Sequence, residues 1–224
     1  MGNKKQIKSR ERVTEHGEVF TNEREVKAMC DLVNDETERI DSRFLEPACG
    51  DGNFLAEILE RKLNIVKKKY KKSCIDYEKN SLLAVSSLYG VDILIDNVIA
   101  CRNRLFKIWE KQYKSICKNE CNDDMKDSIK FILHCNILCG NALTLMMVDD
   151  KGNDTTSPII FSEWAFITGS QLARSEYTFS YVLKENDINE KKKKEKQMSL
   201  INDGGEGKFI MRSVMNYRRL KEYE

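Results

Sequence analysis

Two prolines, Pro47 and Pro158, are all that the 224 residues contain, and they are far apart. No loop in this chain can therefore be braced by consecutive prolines. Long apolar runs are missing too. Nothing approaches the roughly 20 residues of a membrane-spanning helix, and the polar, basic N-terminus has no apolar signal-peptide core. The expected compartment is the cytoplasm, with no membrane partner. Histidine is limited to His16 and His134, and neither has the neighbours of a catalytic triad. The net charge of only +2 does not by itself imply nucleic-acid binding, so any such contact would come from local patches. The eight cysteines, without a secretory signal, are expected as free thiols.

Against these absences stand 41% hydrophobic and 33% charged residues, enough apolar material for one α/β domain with a heavily charged surface. Its expected organisation is a flexible basic arm over residues 1–14, a folded domain over 15–182, and a charged linker with a C-terminal hairpin over 183–224. The hairpin would turn at Asp203-Gly204-Gly205.

The chain is organised around Leu45-Glu46-Pro47-Ala48-Cys49-Gly50-Asp51-Gly52-Asn53-Phe54-Leu55. A short apolar strand ends in an acid and a proline, turns through two glycines and enters a helix with Phe54, Leu55, Ile58, Leu59, Leu63 and Val66 on one face. Gly50 and Gly52 permit turn dihedrals closed to other residues and leave the backbone open to a ligand. The following helix aims its unpaired N–H groups at the same point. In the dinucleotide fingerprint a third glycine would stand where Leu55 is, and Glu46 would repel a pyrophosphate. A cationic or hydroxyl-rich ligand suits the loop better.

Upstream, Gly17-Glu18-Val19-Phe20-Thr21 precedes a helix with Val26, Met29, Cys30 and Val33 on one face, capped by Thr21 or Asn22. Downstream, a helix over roughly Tyr77–Leu88 leads into a strand ending in Asp92-Ile93, where a carboxylate can accept from both hydroxyls of a ribose. Asp96 to Tyr113 has the spacing of an amphipathic helix, with Val98, Cys101, Leu105, Ile108 and Trp109 inward and Arg102, Arg104 and Lys107 outward. Phe131 to Leu138 is read as a further strand, ending in Gly140-Asn141-Ala142-Leu143. The lysine run from Lys67 to Lys72 is read as a solvated helix end, a DNA-facing patch being secondary.

The Glu46–Leu55 stretch resembles motif I of the S-adenosylmethionine-dependent DNA methyltransferases, above all the adenine-N6 enzymes of restriction–modification systems. The Phe20-Thr21, Asp92-Ile93 and Gly140–Leu143 segments are similar to motifs X, II and III of the same family, in its order, over about Glu15 to Leu143. The resemblance implies a Rossmann-like class I fold, a central, mostly parallel sheet flanked by helices. It implies S-adenosyl-L-methionine as cofactor, bound by Phe20, Thr21, Glu46, Ala48, Gly50, Gly52, Asn53, Asp92, Ile93, Asn141 and Ala142. In that assignment Phe20 and Thr21 touch the methionine end, Asp92 the ribose, Ile93 the adenine face and Asn141 the adenine amino group. The family usually has proline where this chain has Asn22 and aspartate where it has Asn141. The amide oxygen of Asn141 can still accept the same hydrogen bond.

The family's catalytic motif IV, a polar residue followed by Pro-Pro and an aromatic, is missing. Ser162-Glu163-Trp164, after an expected fourth strand over Pro158–Phe161, stands near the place for it, which leaves Ser162 and Trp164 as the catalytic candidates. The expected function is the cofactor-binding part of a DNA adenine-N6 methyltransferase. Its partners would be DNA and a second chain supplying motif IV and target recognition. Two alternatives remain, a non-catalytic cofactor-binding regulatory module and a zinc-stabilised DNA-binding protein. Zinc would need Cys117-x-x-x-Cys121 and Cys135-x-x-x-Cys139, whereas strand alternation over the second pair reads as two buried small hydrophobes, and no metal ligand is assigned.

Overall fold

The computed structural model describes residues 12, 14, 21–183 and 209–223. From Thr21 onward the chain runs through α1 (Glu23–Asp31), whose N-cap Asn22 accepts a hydrogen bond from the Arg24 N–H at 3.0 Å, and a single turn, α2 (Asn34–Thr37). Then follow β1 (Phe44–Glu46), α3 (Asn53–Tyr70), α4 (Cys74–Ser86), β2 (Leu88–Asp92), α5 (Ile95–Cys117), α6 (Asp123–Asn136) and β3 (Ile137–Asn141). The second part of the chain is β-rich, with β4 (Met146–Val148), β5 (Asp154–Pro158), β6 (Ile160–Phe166), β7 (Gln171–Thr178) and β8 (Phe209–Asn216).

Five strands form one mixed sheet in the order β1-β2-β3-β4-β5. It is parallel across β1, β2 and β3, with Phe44 opposite Leu88 and Asp92 opposite Cys139, and antiparallel across β4 and β5. The expectation of an α/β sheet flanked by helices is met, but only its first half is parallel. The reason is local. The short segment after β3 turns back directly, whereas each parallel pair is joined by a helical crossover of the length such pairing needs.

A single large core joins the helices to one face of this sheet. Leu55, Leu59, Leu63 and Val66 of α3 meet Leu82 and Val85 of α4, Val98, Leu105 and Trp109 of α5 and Ile129 and Ile132 of α6. Tyr89 and Val91, on the other face, pack with Ile159, Phe161 and Phe179. On α1 only Val26 and Cys30 are buried, while Met29 is exposed and Val33, also exposed, lies beyond the helix end, so the expected four-residue stripe is half as wide.

Three further expectations change. Residues 131–136 are helical, not strand, because Met125, Ile129, Ile132 and Leu133 bury one face of α6 at helical spacing. Cys135 and Cys139 therefore lie on different elements and share no strand face. Pro158 to Trp164 is not a fourth parallel strand. Pro158 ends β5, and Ser162 and Trp164 lie inside β6, within a separate antiparallel sheet of order β6-β7-β8. Finally, Cys74 and Cys117 form a disulfide with Cα atoms 5.1 Å apart, leaving six free cysteines.

β8 pairs with β7 along Gln171–Tyr177, and Met215, Tyr217 and Leu220 enter the main core. The expected turn at Asp203–Gly205 lies outside the described residues, as do Phe20, His16 and nearly all of the basic arm.

Candidate functional site

Parallel strands place the ends of β1, β2 and β3 side by side, which brings the three motif segments to one edge of the sheet. The loop after β1 makes its turn with Gly50 at φ +52° and Gly52 at φ +85°, both in the left-handed region where glycine is favoured. The Cys49 N–H donates to the Val91 carbonyl at 2.9 Å, holding the loop against β2. The Gly50 N–H donates to Asp92 Oδ2 at 2.9 Å. This bond joins the glycine loop to the acid at the end of β2.

Asp92 is more heavily used than its assigned role requires. Its Oδ1 also accepts from the Leu94 N–H at 2.9 Å and from Asn97 Nδ2 at 3.1 Å. Three of the roughly four acceptor positions of a carboxylate are therefore taken within the protein. Glu46 is less committed. It is half-buried at the end of β1, and burial pushes its carboxyl above the usual carboxylate range while the Ala48 N–H pulls it back. Asn141 accepts from the Leu143 N–H at 3.0 Å and donates to Asp154 Oδ1 at 3.1 Å. One lone pair of its amide oxygen remains for a ligand. Ala142 packs against the smaller core, and Ile93 is half-buried, its carbonyl accepting from Cys139 Sγ at 3.6 Å.

Gly52 serves a packing purpose. A Cβ there would stand 2.6 Å from Cys101 Sγ, so α3 begins hard against α5. A hydrogen bond with Cys101, followed by burial, pushes the Cys49 thiol upward. The Cys49 sulfur is therefore not set up as a thiolate nucleophile. Asn53, at the start of α3, accepts from Arg104 Nη1 at 2.6 Å and donates to the Thr21 carbonyl at 3.4 Å. Thr21 is thereby brought to the loop, as the sequence placed it, while Ala48 is exposed at its rim. Phe20 lies outside the described residues.

Sequence reasoning missed Arg104, which turns toward the loop and lies 3.4 Å from Asp51 instead of facing outward. It also missed Arg12, which pairs with Asp96 at 2.7 Å and reaches Asn97 at 3.4 Å. Only the polar Asn97 beside buried Val98 hinted at this network, because a buried amide on a helix needs partners.

Ser162 and Trp164 are not brought to this cluster. Asn136 Oδ1 accepts from the Ser162 N–H at 3.0 Å, and Asn136 Nδ2 donates to the Ser86 carbonyl at 3.2 Å. Asn136 and Ser86 precede β3 and β2, so Ser162 lies at the opposite edge of the sheet from Asp92. It is 1% exposed and accepts from Arg174 Nε at 3.0 Å. The Arg174 guanidinium stacks 5.3 Å from Phe131 and 5.5 Å from buried Trp164. These are the contacts of a packed seam between α6 and the second sheet.

No three His, Cys, Asp or Glu side chains gather as metal ligands among the described residues, and Cys117 is engaged with Cys74. Among the same residues no helix is long and apolar enough to cross a membrane. Comparison of the chain with protein-family models, with curated proteins and with solved structures found no match.

Proposed function

We propose that this chain is the S-adenosyl-L-methionine-binding part of a DNA adenine-N6 methyltransferase of a restriction–modification system, built on a Rossmann-like class I scaffold. The observation that carries the reading is the Gly50–Asp92 hydrogen bond. It joins a glycine turn opening a helix to an acid at the end of the neighbouring parallel strand, the arrangement that suits a nucleoside-bearing ligand. Asn141 stands at the end of the third strand, where an amide oxygen could accept from an adenine amino group.

The residues present fit such a cofactor. Glu46 has spare acceptor capacity and Asp92 retains one acceptor position, so the two carboxylates would divide the ribose hydroxyls between them. Asn141 would read the base, and Thr21, held by Asn53, would border the methionine end. The cofactor, once bound, supplies an electrophilic methyl group. The work of this chain is to orient it for in-line transfer.

With Ser162 and Trp164 packed at the far edge of the sheet, the acceptors for the target amine would come from a partner chain. Support for a partner comes from β1. Among the described residues it pairs only with β2, which leaves one edge of the loop-bearing strand open to another strand. The same burial of Ser162 and Trp164 also favours a second reading, a non-catalytic cofactor-binding module, which predicts no methyl transfer with any partner.

The test is calorimetric titration with S-adenosyl-L-methionine of the wild-type chain and of Glu46→Gln, which leaves the loop's own bonds intact. The expected outcome is binding that weakens at least tenfold in the variant. A folded wild-type chain that shows no binding would overturn the cofactor reading. Methylation of DNA by the purified chain alone would overturn the requirement for a partner.

A further inference from the structure

On the outer surface of the helical layer, between α3 and α5, lies a groove of about 510 Å³ that the site described above does not use. Lys67 borders it on α3, and Lys107 and Lys111, one helical turn apart, border it on α5. All three are exposed, and none is in an ion pair among the described residues. Three neighbouring cations on the same helices are neutralised. Arg61 pairs with Asp31 and Glu57, Arg104 with Asp51 and Lys114 with Glu110. The groove thus carries three unpaired positive charges, opposed among its lining residues only by Glu60 at its rim.

Gln112 adds a fixed donor. The buried Tyr77 hydroxyl donates to Gln112 Oε1 at 3.0 Å, which fixes which end of the amide is spent inside the protein. Its NH2 group makes no hydrogen bond among the described residues. Asn64 offers a second amide on the facing helix. Beyond Lys67 the exposed Lys68, Lys69, Lys71 and Lys72 carry the positive surface past the end of α3. Ammonium groups and outward amide donors lining one open groove suit a repeating anion, one phosphate to each cation.

We propose that this groove is a phosphate-reading track for the backbone of duplex DNA, separate from the cofactor site. Its contacts are to phosphate oxygens, so it contributes affinity and orientation without reading sequence. The inference does not depend on the cofactor assignment.

The experiment measures binding of the full chain to a fluorescent DNA duplex across a series of salt concentrations. The groove variant is Lys67→Gln/Lys107→Gln/Lys111→Gln. A control variant, Lys27→Gln/Lys126→Gln/Lys130→Gln, loses the same three charges from lysines that are already ion-paired. Each phosphate contact contributes about 0.9 to the slope of log affinity against log salt. The groove variant is therefore expected to show a slope shallower by roughly two to three and binding at least tenfold weaker at low salt. The control should keep the wild-type slope. Equal loss in both variants would reduce the effect to net charge and overturn the proposal. An unchanged groove variant, or a wild-type chain that does not bind duplex, would also overturn it. Cofactor titration of the groove variant should match that of the wild type, so failure here and failure of the cofactor reading give different results.

Discussion

Lys62 shows how far a side chain can depart from the role its letter suggests. It is fully buried in α3, and its ammonium donates to the carbonyls of Ile40 and Ser42 and to Ser87 Oγ, with the Phe44 ring 5.0 Å away. Burial lowers its pKa to about 7 from an ordinary 10.5. Between these values the unfolded chain holds the proton more tightly than the folded one. Stability should therefore rise with pH from about 7 toward 10.5, by up to about 1.4 kcal/mol per unit, and should not vary on this account below pH 7. Urea unfolding at pH 7 and pH 9 checks this, and Lys62→Met should flatten the difference. Gly52 gives a second expectation. Alanine there must adopt φ +85° and meet Cys101 Sγ at 2.6 Å, so Gly52→Ala should cost roughly 1–3 kcal/mol in the same assay. Both turn glycines were legible in the sequence from their place between a strand and a helix. That Gly52 also admits α5, and that Lys62 is buried, was not legible, because both depend on elements distant in the sequence.

The helices and strands were legible where periodicity was unambiguous. α3 and α5 carry apolar stripes that fix their buried faces, and both appear as expected, α5 running four residues further, to Cys117. The apolar run from Phe131 to Leu138 misled because a short continuous run fits a buried strand and a buried helix equally. Only packing of Ile129, Ile132 and Leu133 against the neighbouring helices decides it. β6 and β7 could not be placed from sequence for a related reason. Phe161 and Trp164 stand three apart on β6 and so face opposite ways, Phe161 into the smaller core and Trp164, with Leu172 of β7, into the larger one, so strand alternation gives no single buried face. The Cys74–Cys117 bridge joins the start of α4 to the end of α5 across 43 residues. Counting thiols in the denatured, unreduced protein should give six, and eight after reduction, whereas eight at the outset would show the bridge absent. Closing a loop of that length should contribute roughly 2–4 kcal/mol, lost when Cys74→Ser/Cys117→Ser is compared with the wild type.

The molecule as a whole is tied together by a buried acid. Glu78 of α4 is fully buried and accepts from Tyr113 of α5 at 2.7 Å, from the Tyr217 hydroxyl at 2.8 Å and from Arg218 Nε at 2.8 Å. The C-terminal segment thus supplies both the strand that completes the second sheet and the cation that neutralises the helical layer. Sequence patterning gave no sign of this, since Glu78 reads as one more surface acid on a charged helix. Arg218→Ala should destabilise by about 3 kcal/mol or more, because it leaves a buried carboxylate without its cation, as chemical denaturation would show. Removing residues 209–224 would also take Met215, Tyr217 and Leu220 from the core. The truncated chain should lose its cooperative thermal transition, and a retained sharp transition would refute this view of the segment. The tie has a further consequence during synthesis. Glu78 leaves the ribosome 139 to 140 residues ahead of Tyr217 and Arg218, roughly 7–30 seconds at ordinary translation rates. Through that interval Glu78 has the Tyr113 hydroxyl as a donor but no cation beside it, so full closure of the helical core around this acid is expected to wait for the C-terminal segment.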